Sequence, residues 1–113
     1  MARILTYAQA INEAMSLAMK QDRGVIAFGL GVDDPKRVFG TTCGLVEEFG
    51  KMRVFDTPTS ENGLTGIAIG ASLNGIRPVM SHQRLDFFLL AMDQLVNNAA
   101  KWHYMFGGVR SVP

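Results

Sequence analysis

Asp56-Thr57-Pro58-Thr59-Ser60-Glu61-Asn62-Gly63-Leu64-Thr65-Gly66 joins an apolar run, Arg53-Val54-Phe55, to a glycine-rich segment of helical character. The run stops at Asp56, a proline-containing turn follows, and Glu61 falls where the helix is expected to start. In open parallel α/β sheets, ligands sit in the crevice beyond the carboxyl ends of the strands. A lone carboxylate at such a place is a candidate for chemistry. A Glu in a first helical turn also has a plain structural use, since it stabilises the helix dipole by about 0.3–1 kcal/mol.

The segments on either side support a strand at this point. Thr6-Tyr7-Ala8-Gln9 has the spacing of a capping box, and Ile11, Ala14, Met15, Ala18 and Met19 follow as an amphipathic helical stripe closed by Gln21 to Gly24. Val25-Ile26-Ala27-Phe28 is a short apolar run between glycines, as expected of a parallel strand buried on both faces. Gly31 to Gly40, with Asp33-Asp34-Pro35, reads as a surface loop, and Leu45 to Phe49 as a short helix closed by Gly50. The second strand is expected over Arg53 to Asp56.

A helix from about Glu61 to Asn74 should then bury Leu64, Ile67, Ala68 and Ala71, with Gly75 terminating it. Its Gly63, Gly66 and Gly70 imply close approach of another backbone or a ligand, because each interior glycine costs about 1 kcal/mol relative to alanine. Arg77 to Ser81 is the third strand. Asp86 is expected to cap a long helix from about Phe87 to Met105, with Phe88, Met92, Leu95, Val96 and Ala99 on one face and Phe87, Leu90 and Ala91 beside them. Gly107-Gly108 breaks it, and Val109 to Pro113 reads as entry to a further strand. Alternation of helix and strand gives an α/β fold, a parallel sheet flanked by helices.

Composition narrows the function classes. The 113 residues suit one domain, and with 48% hydrophobic residues they can build a core. Eleven basic against ten acidic residues, dispersed along the chain, give no footprint for nucleic acid or an anionic membrane. No apolar run approaches the roughly 20 residues of a membrane span. Residues 1–6 lack the apolar segment of a signal peptide, and the single cysteine, Cys43, fits a reducing, cytoplasmic setting. His82 and His103 lack metal-ligand spacing, so no metal is expected on this chain. Gly29-Leu30-Gly31 is too short for a dinucleotide fingerprint, and no glycine-rich phosphate loop is present.

Several motifs in order resemble one family. These are Asp56-Thr57-Pro58 with Ser60-Glu61, Gly66-Ile67-Ala68-Ile69-Gly70-Ala71, Gly75-Ile76-Arg77-Pro78-Val79, Asp86-Phe87, and Ala91 to Asn97 through Tyr104-Met105-Phe106-Gly107-Gly108. Together they are similar to the β chain of thiamine-diphosphate-dependent 2-oxoacid dehydrogenases of the pyruvate, branched-chain and acetoin type. The resemblance implies the N-terminal portion of a transketolase-like pyrimidine-binding domain over residues 1–113, truncated near Pro113.

It also implies roles. Glu61 matches the catalytic acid that hydrogen-bonds to N1′ of the cofactor aminopyrimidine and activates it by exchanging a proton there. Burial disfavours a charged carboxyl, which suits a group that must keep or share a proton. Phe87 matches an aromatic that packs on the aminopyrimidine, although at helical spacing it serves equally as a core residue. Thr59 lies beside the cofactor. His82, Gln83 and Arg84 border the substrate side, where a polar strand-to-helix loop is the plainer reading. The diphosphate and Mg²⁺ are expected on an α subunit in an α2β2 heterotetramer, with a lipoyl acyltransferase core as a further partner.

Three positions depart from the family pattern. Leu30 replaces an acid that assists a proton relay between sites, Ser81 stands where Glu is common, and Thr59 replaces an apolar residue. They leave open a ketol-transferring enzyme, of transketolase or deoxyxylulose-phosphate synthase type, or a non-catalytic scaffold of the same fold. As an isolated piece, with sheet edge and helix faces uncovered, the chain is expected to associate.

Overall fold

The computed structural model of the chain describes residues 3–34 and 39–113. The stretch 35–38 of the expected loop lies outside the described residues. Helix α1, Tyr7–Gln21, opens with the expected capping box: Thr6 Oγ1 accepts from the Gln9 amide, and Gln9 Oε1 from that of Thr6. Strand β1, Val25–Gly29, runs into the loop that precedes α2, Leu45–Phe49. Next come β2, Val54–Phe55, helix α3, Glu61–Ser72, and β3, Arg77–Ser81. A helical run over 85–105 completes the chain. It begins as α4, Leu85–Phe88, and ends as α5, Ala100–Met105.

The three strands form one parallel sheet in the order β2-β1-β3. Ala27 aligns with Val54 on one side and Val79 on the other, and Phe28 with Phe55 and Met80. Since side chains alternate along a strand, this register divides the sheet into two faces. On the first, Val25, Ala27 and Val54 pack with Met19, Val32 and Leu45, supported by Met15, Ala18, Val46 and Phe49. On the second, Phe28 stacks on Phe55 with ring centroids 5.5 Å apart. Helix α3 packs on β3 at that second face, and the 85–105 run packs in turn on α3. The α/β sheet between helices thus follows the sequence pattern.

Arg53 joins the first layer together. Its guanidinium donates to the carbonyls of Met19 (2.9 Å), Asp22 (2.8 Å) and Val25 (2.8 Å), and stacks over the Phe49 ring. The last carbonyls of a helix have no intrahelical partner, and a cation there also meets the negative end of the dipole. Strand β2 is shorter than the expected Arg53–Asp56, although the Arg53 carbonyl still accepts from the Ala27 amide at 2.8 Å.

Several expectations are corrected. In α1, Met15, Ala18 and Met19 reach the core, but Ile11 and Ala14 stay exposed. Helix α3 ends at Ser72, two residues early, and buries Thr65, Ile69 and Ser72, while Ile67 is 65% exposed. Two polar residues can turn inward because each hydroxyl is satisfied within the helix: Thr65 Oγ1 donates to the Glu61 carbonyl and Ser72 Oγ to that of Ile69, both at 2.7 Å. The glycine stripe meets no backbone. A Cβ at Gly66 would touch the Gln94 side chain at 3.3 Å, one at Gly63 the hydroxyl of Ser60 at 2.8 Å, and one at Gly70 nothing within 4 Å.

The expected long helix is a run of changing pitch. A 3₁₀ turn, Leu89–Ala91, follows α4, and a π-helical stretch, Gln94–Ala99, precedes α5. Side-chain bonds four residues apart brace that stretch, Asn97 to Asp93 (2.8 Å) on its exposed side and Asn98 to Gln94 (3.0 Å) on its half-buried side toward α3. Asp86 does not cap it. Arg84 holds the N-cap position and pairs with Asp86 in the first turn. Only Ala91 of the expected faces is buried, and Leu89 and Leu90 are exposed.

Val109–Pro113 forms no strand. After Gly107 and Gly108, both at positive φ, the tail folds over α3. Arg110 Nη1 donates to the Leu73 carbonyl at 3.3 Å, and Val112 and Pro113 line a cavity of about 250 Å³ with Ile69 and Pro78. Among the described residues no helix is long and apolar enough to cross a membrane.

Candidate functional site

Two loops at the carboxyl ends of β1 and β2 are tied by a short hydrogen bond. The Gly31 amide donates to Asp56 Oδ1 at 2.6 Å. Asp56 therefore holds the Thr57-Pro58-Thr59 turn against the end of β1, and α3 starts immediately beyond. The first turn of α3 is fixed from below: Thr65 Oγ1, bonded to the Glu61 carbonyl, also lies 3.4 Å from Met80 Sδ on β3. Glu61 is the first helical residue and lines the crevice at the strand ends.

The opposite wall comes from the end of β3. Gln83 Nε2 donates to the Leu30 carbonyl at 3.3 Å, and the His82 imidazole meets the Phe88 ring edge-on with centroids 5.4 Å apart. Arg84 lies over the Phe87 ring, its guanidinium carbon 5.1 Å from the centroid. Its hydrogen bonds to Asp86 hold the Asp86 carboxyl below the usual carboxylate range and push the Arg84 guanidinium up. Arg84 is thereby engaged on both sides.

These walls enclose a narrow cleft of about 20 Å³. Thr59, Glu61 and Phe87 line it together with His82 and Gln83, so it gathers five of the six residues singled out from the sequence, and Arg84 is the one left out. Leu30 and Ser81, two of the departures from the family pattern, line it as well. By this measure one water needs about 10–15 Å³, so the cleft is one wall of a site for anything larger. Glu61 is half-buried, which meets the expectation of burial only in part, and Phe87 remains 37% exposed.

Sequence reasoning missed two features. Thr57, quoted only as part of a motif, is 8% exposed, and its Oγ1 has no hydrogen-bond partner among the described residues. No local signal marks it, because threonine after a strand is unremarkable. The second is a cavity of about 330 Å³ under α1, lined by Ile11, Met15 and Val79 and separated from the cleft by Leu30, Ser81, His82 and Gln83. His82 also reaches the cavity beside α3, so it stands where three hollows meet.

Chemically, the cleft offers a carboxyl for proton exchange, an aromatic ring, an imidazole, and hydroxyls from Thr57, Thr59, Ser60 and Ser81. Among the described residues its lining contains neither lysine nor arginine. A heteroaromatic ring with nitrogen atoms at its edge fits such a wall: the carboxyl and a spare hydroxyl can bond to the nitrogens, and the aromatic can pack beside it. A diphosphate, with its need for cations or a cradle of amides, does not fit it.

Comparison with known proteins agrees with this chemistry. The chain is 44% identical over 125 aligned residues to the β subunit of acetoin:2,6-dichlorophenolindophenol oxidoreductase from Bacillus subtilis, covering all of this chain and 36% of that protein. It is 41% identical to the pyruvate dehydrogenase E1 component subunit beta of Rickettsia bellii, over 92% of this chain and 32% of that one. With the mitochondrial pyruvate dehydrogenase E1 component subunit beta of Bos taurus it shares 38% identity, over 96% of this chain and 30% of the relative. The chain thus spans about a third of the length of these relatives. The family model for the transketolase pyrimidine-binding domain matches residues 4–112, and the chain belongs to that family.

Proposed function

We propose that this chain supplies the pyrimidine half of a thiamine diphosphate site, as part of the β subunit of a 2-oxoacid dehydrogenase. The observation that carries the reading is the convergence of Glu61, Thr59 and Phe87 with His82 and Gln83 on one cleft at the strand ends. The names of the relatives add the class of reaction. Bound thiamine diphosphate supplies a nucleophilic carbon that attacks the substrate carbonyl and stabilises the resulting negative charge. Glu61 holds and exchanges a proton at N1′ of the aminopyrimidine. Phe87 packs against the ring, Thr59 borders it, and His82 and Gln83 face the substrate.

Among the described residues the lining holds neither lysine nor arginine, which is in keeping with a diphosphate and Mg²⁺ held by an α subunit. Exposed Leu85, Leu89 and Leu90 offer apolar surface for such a partner, in keeping with an α2β2 assembly. Transfer of the product to a lipoyl acyltransferase core would follow.

The test is turnover of the complete protein with its α partner on pyruvate, branched 2-oxoacids and acetoin, comparing wild type with Glu61→Gln. Loss of a positioned proton-transfer group should lower turnover by about 10²–10⁴-fold while assembly and cofactor binding persist. Undiminished turnover in Glu61→Gln would remove the role given to Glu61. Cofactor binding without turnover of any substrate would leave the non-catalytic scaffold as the better account.

A further inference from the structure

Thr57 presents an unsolved hydrogen-bonding problem beside Glu61. Its side chain is nine-tenths buried, it lines the cleft, and its Oγ1 lacks a partner among the described residues. A threonine hydroxyl can donate once and accept twice, and buried polar side chains in folded proteins are nearly always bonded. The comparably buried Thr65 and Ser72 obey that rule by donating to helix carbonyls three or four residues back. Thr57 has no such carbonyl, because it sits in the irregular turn after β2. Its successor, Pro58, has no amide hydrogen to offer. Nor is the turn free to swing outward, since the Asp56 carboxylate anchors it to the Gly31 amide.

The hydroxyl is therefore held just beneath the surface of the cleft, which Thr57 lines beside Glu61. We propose that Thr57 Oγ1 hydrogen-bonds to the aminopyrimidine ring that Glu61 engages, making Thr57 a positioning residue for the cofactor. This inference rests on the reading of the cleft as a thiamine diphosphate site. Glu61 provides proton exchange, and Thr57 provides a neutral contact that fixes how the ring enters. The contact exists only with the ring in place, so removing the hydroxyl should weaken binding without harming the unliganded fold.

The experiment is a thiamine diphosphate titration of the complete protein assembled with its partner, for wild type, Thr57→Val, Thr57→Ala and Thr57→Ser, with thermal unfolding of each before cofactor is added. Valine keeps the shape and loses the hydroxyl, alanine loses it without bulk, and serine retains it. We expect Kd to rise about 3- to 10-fold in the valine and alanine variants and to stay near wild type in the serine variant. Unliganded Thr57→Val should unfold at the wild-type temperature or above it. An unchanged Kd in both hydroxyl-free variants, with wild type and Glu61→Gln differing in turnover as proposed, overturns this inference alone. So does an unliganded Thr57→Val that unfolds early while binding normally, because the hydroxyl then serves the fold. If wild type fails to bind the cofactor at all, the reading of the cleft falls and this inference falls with it.

Discussion

Replacing Gly29 with alanine should open the sheet at the point where it supports the cleft. Gly29 is the last residue of β1, paired with Ser81 of β3, and its φ is +142°. A Cβ built there would overlap the Ser81 carbonyl oxygen and lie 3.1 Å from both the Ser81 carbonyl carbon and nitrogen. The obstacle is backbone within a parallel ladder, so it cannot rotate aside as a flexible side chain would. Two costs add. Holding an L-residue in this backbone conformation costs about 1–3 kcal/mol, and overpacking against a fixed neighbour about 1–3 kcal/mol more. The total, about 2–6 kcal/mol, is a large part of the 5–15 kcal/mol typical of a domain. With a urea slope of about 1.5 kcal/mol/M, the midpoint should fall by about 1–4 M. Gly50→Ala is the control. Gly50 also has positive φ, at +77°, but a Cβ there would meet nothing within 4 Å, so it bears the conformational cost alone. The two variants should differ by about 1–3 kcal/mol, the steric part. Only Gly29→Ala should also weaken cofactor binding, since Leu30 and Ser81 shift with it. Equal midpoints for Gly29→Ala and Gly50→Ala would refute the clash and the β1–β3 register behind it.

Arg53→Met keeps the aliphatic stem but removes the guanidinium that lies over Phe49 and donates to Met19, Asp22 and Val25. Stability should fall by about 2–4 kcal/mol in denaturant unfolding, and Arg53→Lys should recover only part, since an ammonium lacks the planar fork. A loss under about 0.5 kcal/mol would mean that water satisfies those carbonyls. Acidification should weaken the contact of α1 with α2. The hydrogen bond from Lys20, with a further one from Ser16, holds the Glu48 carboxyl below its usual 4.5 against the opposing effect of desolvation. The stabilisation is complete above about pH 4.5 and disappears as pH falls through the lowered folded value, so Glu48→Gln should lie slightly below wild type by a constant amount near pH 7 and flatten the stability profile in that acidic window, where the two converge. An identical acid limb in wild type and Glu48→Gln would show that the pair contributes nothing.

Local signals carried most of the fold. The Thr6–Gln9 capping box, the Leu45–Phe49 helix and the Arg77–Ser81 strand fall where sequence places them, because caps, glycine stops and short apolar runs act over a few residues. What the sequence hid was which face each helix turns inward. Periodicity in α3 points to Leu64, Ile67, Ala68 and Ala71, yet Thr65 and Ser72 lie beneath because their hydroxyls bond within their own helix. Polarity on a helical wheel does not show that internal satisfaction. Arg53 was hidden for a related reason: within an apolar run it reads as a strand residue, and its carbonyl partners come from residues 28 or more positions away.

The candidate site divides along the same line. Glu61, Phe87 and Thr59 were legible because they stand in a motif, and motif residues are fixed by sequence spacing. Thr57 belongs to the same motif, but its significance arises from three things that spacing cannot report: deep burial, an anchored turn, and the lack of a helical carbonyl to receive its proton. A buried hydroxyl without a partner costs about 1–3 kcal/mol, and a threonine there is tolerable if that cost is recovered in another state. Valine would fill the same space at lower cost in the unliganded chain. The presence of threonine rather than valine is thus itself an argument that the hydroxyl is used, and the neighbouring carboxyl of Glu61 indicates where.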